Sequence, residues 1–266
     1  SSDVCSSDLT GTYRIPEFTT DWTSVVERDD VDLVLILTPM EQHGDIAAAA
    51  LRAGKHVVVE KPLAVTPSQA RELLKLARAA DRVLVAAPVT TLSPTYKAVD
   101  RIIRSGEIGR VFAARWLFGH SGPRWAEWFY GPNAGAIFDL AVYGVTTLSG
   151  LLGPVRRVTC LASIAVPTRT IDTGPIAVTS EDNAHLVLEF GGGALATVTT
   201  SFTMSTVHEP GIELYGERGA IAFLGLDFCP SGYEIRRAGE SGWTSVPLAQ
   251  PWSWASGLAH TVECLR

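Results

Sequence analysis

Much of what usually announces a function is missing from this chain. No apolar run reaches the roughly 18–20 residues needed to cross a bilayer, and no basic-then-apolar signal peptide opens the sequence. Cysteine is scarce. Cys5, Cys160, Cys229 and Cys264 stand far apart without a CxxC pair, which argues against a disulfide framework and against a zinc site, so no metal is expected. Basic residues do not prevail either: 22 Lys and Arg against 28 Asp and Glu leave a net charge of −6, which is no electrostatic footprint for nucleic acid. A phosphate-cradling GxGxxG turn after a strand is absent as well. Gly191-Gly192-Gly193 lies between two alternating strands and reads as a hairpin.

What is present describes an ordered globular protein. The 266 residues are 46% hydrophobic and 19% charged, enough for one large or two ordinary domains, and a cytoplasmic enzyme is the default. The two ends follow a different logic. Ser1 to Leu9 (SSDVCSSDL) repeats Ser-Ser-Asp without periodicity and resembles the translation of a sequencing-adapter oligonucleotide; a natural disordered terminus is the weaker alternative. Gly257 to Arg266 reads as a helix without a stop signal, so an internal stretch of a longer protein is expected.

Residues 10–90 alternate strand and helix. Val31 to Leu37 and Val57 to Val59 are short β-branched runs of the kind buried on both faces, and Val83 to Ala87 is a third. Glu41 to Ala53 predicts a helix closed by Gly54. Thr66-Pro67-Ser68-Gln69 is a capping box with proline at the first helical position, opening a helix that carries Ala70, Leu73, Leu74, Ala77 and Ala80 on one face. This order predicts half of a doubly wound parallel sheet. His56-Val57-Val58-Val59-Glu60-Lys61-Pro62 is its focus, because ligands bind beyond the carboxyl ends of such strands. On local grounds alone, two solvated charges at a strand end is the safer reading of Glu60 and Lys61.

Residues 91–266 change character. Ser93-Pro94 starts a helix with Tyr96, Val99, Ile102 and Ile103 on one face and Gly106 as its stop. Val111 to Phe118 is a strand, followed by a loop from Gly119 to Ala134 crowded with His120, Arg124, Trp125, Trp128, Phe129 and Tyr130. Such a loop suits a sugar-sized ligand and a covered core edge equally well. Gly135 to Gly150 predicts a helix with Asp139 and Tyr143 at i and i+4, hence on one face. A carboxylate in so apolar a helix either serves a site or bonds a nearby loop backbone. After Pro154 come strands at 155–164, 185–190, 194–202, 212–215 and 220–223 around an irregular insert at 166–180 containing Arg169 and Asp172. Together they predict an open, mostly antiparallel sheet whose outer face carries Thr197, Thr199, Ser201 and Thr203 and suits a second subunit, giving a homodimer or homotetramer.

Four stretches in this order (TPMEQHGDIA from Thr38, AGKHVVVEKP from Ala53, the Ser93-Pro94 helix ending near Gly109, and GAIFDLAVY from Gly135) resemble the glucose–fructose oxidoreductase, inositol dehydrogenase and rhizopine-catabolism (Gfo/Idh/MocA) family. AGKHVVVEKP is the most specific of them. The resemblance implies a partial Rossmann domain followed by an open-faced β-sheet domain. It implies hydride transfer between NAD or NADP and a sugar, cyclitol or related alcohol. Thr38, Pro39, His43, Glu60, Lys61 and Pro62 are then cofactor-binding. Asp139 and Tyr143 match an Asp-x-x-x-His motif in which tyrosine has replaced histidine, and Met40 stands where many relatives have asparagine. The phosphate loop and the ribose-reading acid would both precede Thr10.

The chemistry implied is acid–base work by Tyr143, with Lys61 and Asp139 as its catalytic partners. Unperturbed tyrosine titrates near pH 10, so a neighbouring cation such as Lys61 is needed to make it useful. Substrate is expected on Lys61, His120, Trp125, Asp139 and Tyr143. Two other readings stand beside this one: a non-catalytic ligand sensor on the same fold, and a chain that without its phosphate loop holds no cofactor.

Overall fold

The computed structural model describes residues 12–208, 211–226, 229–248 and 255–265, so Ser1 to Leu9 lies outside the described residues. Its first layer is a parallel sheet of β1 (Leu33–Ile36), β2 (His56–Val59) and β3 (Leu84–Ala86) in the order β1-β2-β3, with Val34 beside Val57 and Val58 beside Val85. A short helix α1 (Trp22–Val26), capped by the Asp21 side chain, precedes it. Parallel neighbours need crossovers, and α2 (His43–Arg52) and α3 (Pro67–Ala80) supply them. The alanines of α2 let it lie close: Ala47, Ala50 and Leu51 pack with Val57, Val59 and Leu73 into the first core. Each such valine or leucine contributes about 1.5–3 kcal/mol on burial.

The helix ends follow the chemistry of their residues. Gly54, at φ +75°, closes α2. Thr66 accepts from the Gln69 amide at 3.2 Å and Pro67 fills the first position of α3. The reciprocal half of that box does not form, because the Gln69 side chain donates to Asp45 Oδ1 at 3.1 Å instead. Three expectations fail here. Leu35 of β1 is exposed, because β1 pairs only with β2 among the described residues and one face is left open. β3 is half-buried throughout. Leu74 is 47% exposed, since Leu73 and Ala77 take the sheet-facing side of α3 and the next residue is turned about 100° away.

The second layer begins at α4 (Pro94–Arg104), capped by Ser93 Oγ, which accepts from the Tyr96 amide at 3.1 Å. β4 (Val111–Gly119) follows, then a π-helical turn (Ile137–Ala141) running into α5 (Val142–Leu152). The strands after it are β5 (Val155–Ser163), β6 (Thr168–Ile171), β7 (Gly174–Ala177), β8 (Asn183–Phe190), β9 (Leu195–Ser201), β10 (Ile212–Gly216), β11 (Gly219–Leu226), β12 (Cys229–Arg237) and β13 (Thr244–Pro247). A last helix, α6, spans Ala255–Cys264. Eight of these strands form one sheet in the order β13-β12-β11-β10-β4-β9-β8-β5, antiparallel except for the β4–β9 pair. The insert at 166–180 is not irregular: β6 and β7 make a separate hairpin.

One face of this sheet is core. Ala114, Trp116, Leu186, Leu188, Val198 and Leu214 lie buried beneath Val99, Tyr143 and Leu148. Alternation sends Leu161, Val187, Leu195, Thr197 and Tyr215 to the opposite, exposed face. Ser201 leaves that pattern and is buried, because its hydroxyl donates to the Asp182 carbonyl at 3.1 Å. Met40 joins the second core although it follows β1, so the two layers interlock at that turn. No helix of the described residues is long and apolar enough to cross a membrane.

Candidate active site

The site forms where β2 stops against the second layer. Glu60 continues the ladder, donating its amide to the Ile36 carbonyl at 2.9 Å, and its carboxylate then accepts from the Lys61 amide at 3.0 Å. The Lys61–Pro62 peptide is cis. From this turn Lys61 reaches 78 residues along the sequence to the π turn. Its ammonium donates to the Asp139 backbone carbonyl at 2.9 Å and forms an ion pair with the Asp139 carboxylate, the two side chains being 12% and 8% exposed. The same Nζ lies 5.5 Å from the centroid of the Tyr143 ring, within cation–π range. Lys61, Asp139 and Tyr143 are thus one cluster.

The α-helical i, i+4 relation expected between Asp139 and Tyr143 is altered. Asp139 lies in the π turn and Tyr143 in the first turn of α5. A π turn is a rare local widening that recurs at functional sites, and here it presents both the carboxylate and the carbonyl of Asp139 to one ammonium. Asp139 is buried. Its partner is a lysine from the other layer, not a loop backbone.

A second group sits behind the first. His43 is 1% exposed, with the Pro62 carbonyl 2.8 Å from Nδ1 and the Thr38 carbonyl 2.7 Å from Nε2. Carbonyl oxygens only accept, so a ring with one N–H donates to one of these carbonyls and packs against the other, and it donates to both only when both nitrogens carry a proton. His43 therefore ties the turn after β1 to the turn after β2, and its ring has no surface to offer a ligand directly. Pro39 opens the short 3₁₀ turn Met40–Gln42. Thr38 Oγ1 is buried without a partner among the described residues.

His120 closes the far side. The Gly122 amide donates to its Nδ1 at 3.0 Å, which places the ring proton on Nε2. Burial pushes its titration below the ordinary histidine range; the Asp139 charge opposes this, while Lys61 and Arg169 add to it. Trp125 stays apart from the lysine cluster. It is 61% exposed and meets Trp128 and Phe129 edge-on at 5.9 and 4.8 Å.

Two positions carried no local signal. Asp182 is fully buried, accepting from the Ala165 and Val166 amides at 2.6 and 3.0 Å and from Arg169 Nη2 at 3.0 Å, which fastens the β6–β7 hairpin to the sheet. Arg169 thus pairs with Asp182, whereas Asp172 pairs with Arg124. Glu181 accepts from the Ile137 amide, where the π turn begins. Both contacts join segments far apart in sequence, where periodicity is silent. Chemically, a cation, a carboxylate and a phenol shielded together between two layers are equipped to hold a hydroxyl and exchange its proton.

Comparison with known proteins agrees with this architecture. Residues 5–87 match the family model described as oxidoreductase family, NAD-binding Rossmann fold, and residues 96–222 match the GFO/IDH/MocA C-terminal domain. Levoglucosan dehydrogenase of Pseudarthrobacter phenanthrenivorans is 26% identical over 235 residues, which is 77% of this chain and 58% of that protein. 1,5-Anhydro-D-fructose reductase of Ensifer adhaerens is 32% identical over 198 residues, 72% of this chain and 56% of that one. The chain thus spans somewhat over half the length of these curated relatives. Among solved structures, an NAD binding oxidoreductase from Klebsiella pneumoniae superposes with a TM-score of 0.80 at 25% identity, covering 91% of this chain and 67% of that one. A levoglucosan dehydrogenase in complex with NADH and levoglucosan gives 0.81 at 22% identity, covering 97% and 75%.

Proposed function

Because the chain belongs to the GFO/IDH/MocA family of oxidoreductases, we propose that it serves hydride transfer between NAD or NADP and a sugar, cyclitol or related alcohol. The observation that carries this reading is Lys61, held by Asp139 and lying 5.5 Å from the ring centroid of Tyr143. The names of two relatives, a levoglucosan dehydrogenase and a 1,5-anhydro-D-fructose reductase, favour a sugar-like substrate.

The residues beyond β1 and β2 suit the nicotinamide end of such a cofactor. Ligands bind beyond the carboxyl ends of strands in open α/β sheets, and the buried, unpartnered Thr38 Oγ1 lies there. Thr38, Pro39 and Glu60-Lys61-Pro62 hold the group, with His43 fixing the two turns from behind. The cofactor, when bound, supplies the hydride chemistry. Tyr143 takes or gives the proton of the reacting hydroxyl. Lys61 lies beside it as the cation that favours a phenolate; Asp139 occupies two of its three N–H donors, leaving one for the substrate oxygen. His120 and Trp125 meet the rest of the substrate. The open sheet face, with Leu161, Val187, Leu195 and Tyr215 exposed, serves a homodimer or homotetramer, and the setting is cytoplasmic.

Nicotinamide fluorescence of the whole protein, followed while sugars and cyclitols are added, tests the reading. Turnover is expected with at least one. Lys61→Ala and Tyr143→Phe should each lower kcat by roughly 100-fold or more, the scale of a lost general acid–base group. Full turnover in both variants would remove these residues from the mechanism.

A further inference from the structure

Asp139 and Tyr143 meet Lys61 only if the segment carrying them starts in the right place, and that start lies outside their own helix. Glu181 stands in the loop before β8. Its Oε1 accepts from the Ile137 amide at 3.1 Å, and its backbone carbonyl accepts from the Ala136 amide at 3.0 Å. These are two of the leading N–H groups that a helical segment cannot satisfy within itself. The opposite side of the same residue is also held, because the buried Thr200 hydroxyl on β9 donates to the Ala136 carbonyl at 3.2 Å. Gly135 completes the fit. Its φ is +95°, and a Cβ there would stand 2.5 Å from Glu181 Oε1 and 2.7 Å from the Glu181 backbone oxygen. Only glycine lets the two chains approach this closely.

We infer that Glu181 is a positioning residue for the Lys61–Asp139–Tyr143 cluster, anchoring the π turn to the sheet so that Asp139 meets the ammonium of Lys61. The inference rests on the proposed function for its catalytic consequence, though not for its structural one. A carboxylate kept in a partly buried place is costly to the fold. Burial pushes Glu181 above the ordinary glutamate range, with the Ile137 amide, its own backbone bond and the neighbouring Asp182 charge as smaller influences. A residue placed only for stability is better served there by an uncharged acceptor. Position is what Glu181 supplies: its carboxylate holds the Ile137 amide and its backbone carbonyl holds the Ala136 amide, so one residue fixes two consecutive amides.

The test compares Glu181→Ala with Glu181→Gln, the second of which keeps an oxygen able to accept from Ile137. In the whole protein the alanine variant should lose roughly 10–100-fold in kcat, the scale of an ångström-sized misplacement, with the dissociation constant for the nicotinamide cofactor unchanged. Glutamine should restore kcat to within about threefold of the parent. Hydrogen exchange at the Ile137 amide is the second measurement: faster by roughly tenfold in the alanine variant, protected again in the glutamine one. Wild-type kcat in Glu181→Ala, a folded glutamine variant without restored kcat, or unchanged exchange at Ile137 would each overturn the inference. If the parent turned over no substrate, the proposed function would fall instead, and the exchange comparison would still decide whether Glu181 anchors the turn.

Discussion

Replacing Asp139 by alanine removes the only charge that faces the Lys61 ammonium within ion-pair distance among the described residues. With 12% of the lysine side chain exposed, water relieves little of the uncompensated charge. Removing one partner of a buried pair generally costs about 3–5 kcal/mol. The low end applies here, because the Asp139 backbone carbonyl, 2.9 Å from Nζ, survives the substitution as an acceptor. A loss of about 3 kcal/mol lowers the melting midpoint by roughly 6 °C or more in a protein of this size. Lys61→Met should cost less, since a carboxylate near the start of a helical segment keeps polar neighbours. The double variant Lys61→Met with Asp139→Ala should cost less than the sum of the two single variants, because no buried charge is then left unpaired. Urea denaturation with unchanged slope gives the three differences, and a coupling energy of about 2 kcal/mol is expected. Additivity within about 0.5 kcal/mol, or an Asp139→Ala variant as stable as the parent, would refute a desolvated pair joining the two layers.

His43→Phe removes the ring donor shared by the Pro62 and Thr38 carbonyls, so a loss of about 2 kcal/mol is expected in denaturant, together with weaker nicotinamide binding; His43→Asn should recover part of both. Glu181→Gln predicts a pH-dependent stability difference. Burial raises the folded-state titration of Glu181 above the ordinary glutamate range, so the parent is at its relative best below that range and loses stability as pH rises through the folded value. The glutamine variant should therefore match the parent in acid melts and become the more stable of the two toward neutrality, and a difference independent of pH would contradict the burial of the carboxylate.

How much of this was legible depends on the range of each interaction. Thr66, Ser93 and Gly54 act within one turn of their own helices, and each does in the structure what its residue type predicts. The β2 strand and the charged turn after it follow from a β-branched run ended by proline. Faces were harder to assign than elements. Leu74 fits the helical period by spacing, yet α3 buries a narrower stripe, and Leu35 belongs to a strand whose second face nothing covers among the described residues. The strands at 229–237 and 244–247 carry no clear signal because Pro230, Gly232 and two arginines break the pattern of β12, where Pro230 and both arginines lie beyond its pairing with the edge strand β13. The π turn has no composition of its own, and its contacts, at Ala136, Ile137 and Asp139, are with segments distant in sequence.

Those contacts explain why the candidate site was only half visible. Lys61, Asp139 and Tyr143 are each conspicuous in the sequence, where Lys61 and Asp139 both read as partners of the tyrosine. The structure joins lysine to aspartate first. Local sequence cannot encode that choice, because it depends on where a helix begins relative to a strand end 78 residues away. Three tethers set this distance. Met40 plugs the turn after β1 into the second core, His43 ties that turn to the one after β2, and Glu181 fixes the start of the π turn to the sheet. None of the three needs to touch a substrate. Each constrains one end of the Lys61–Asp139 contact, so a loss at any of them should appear as a misplaced ammonium before it appears as an unfolded chain.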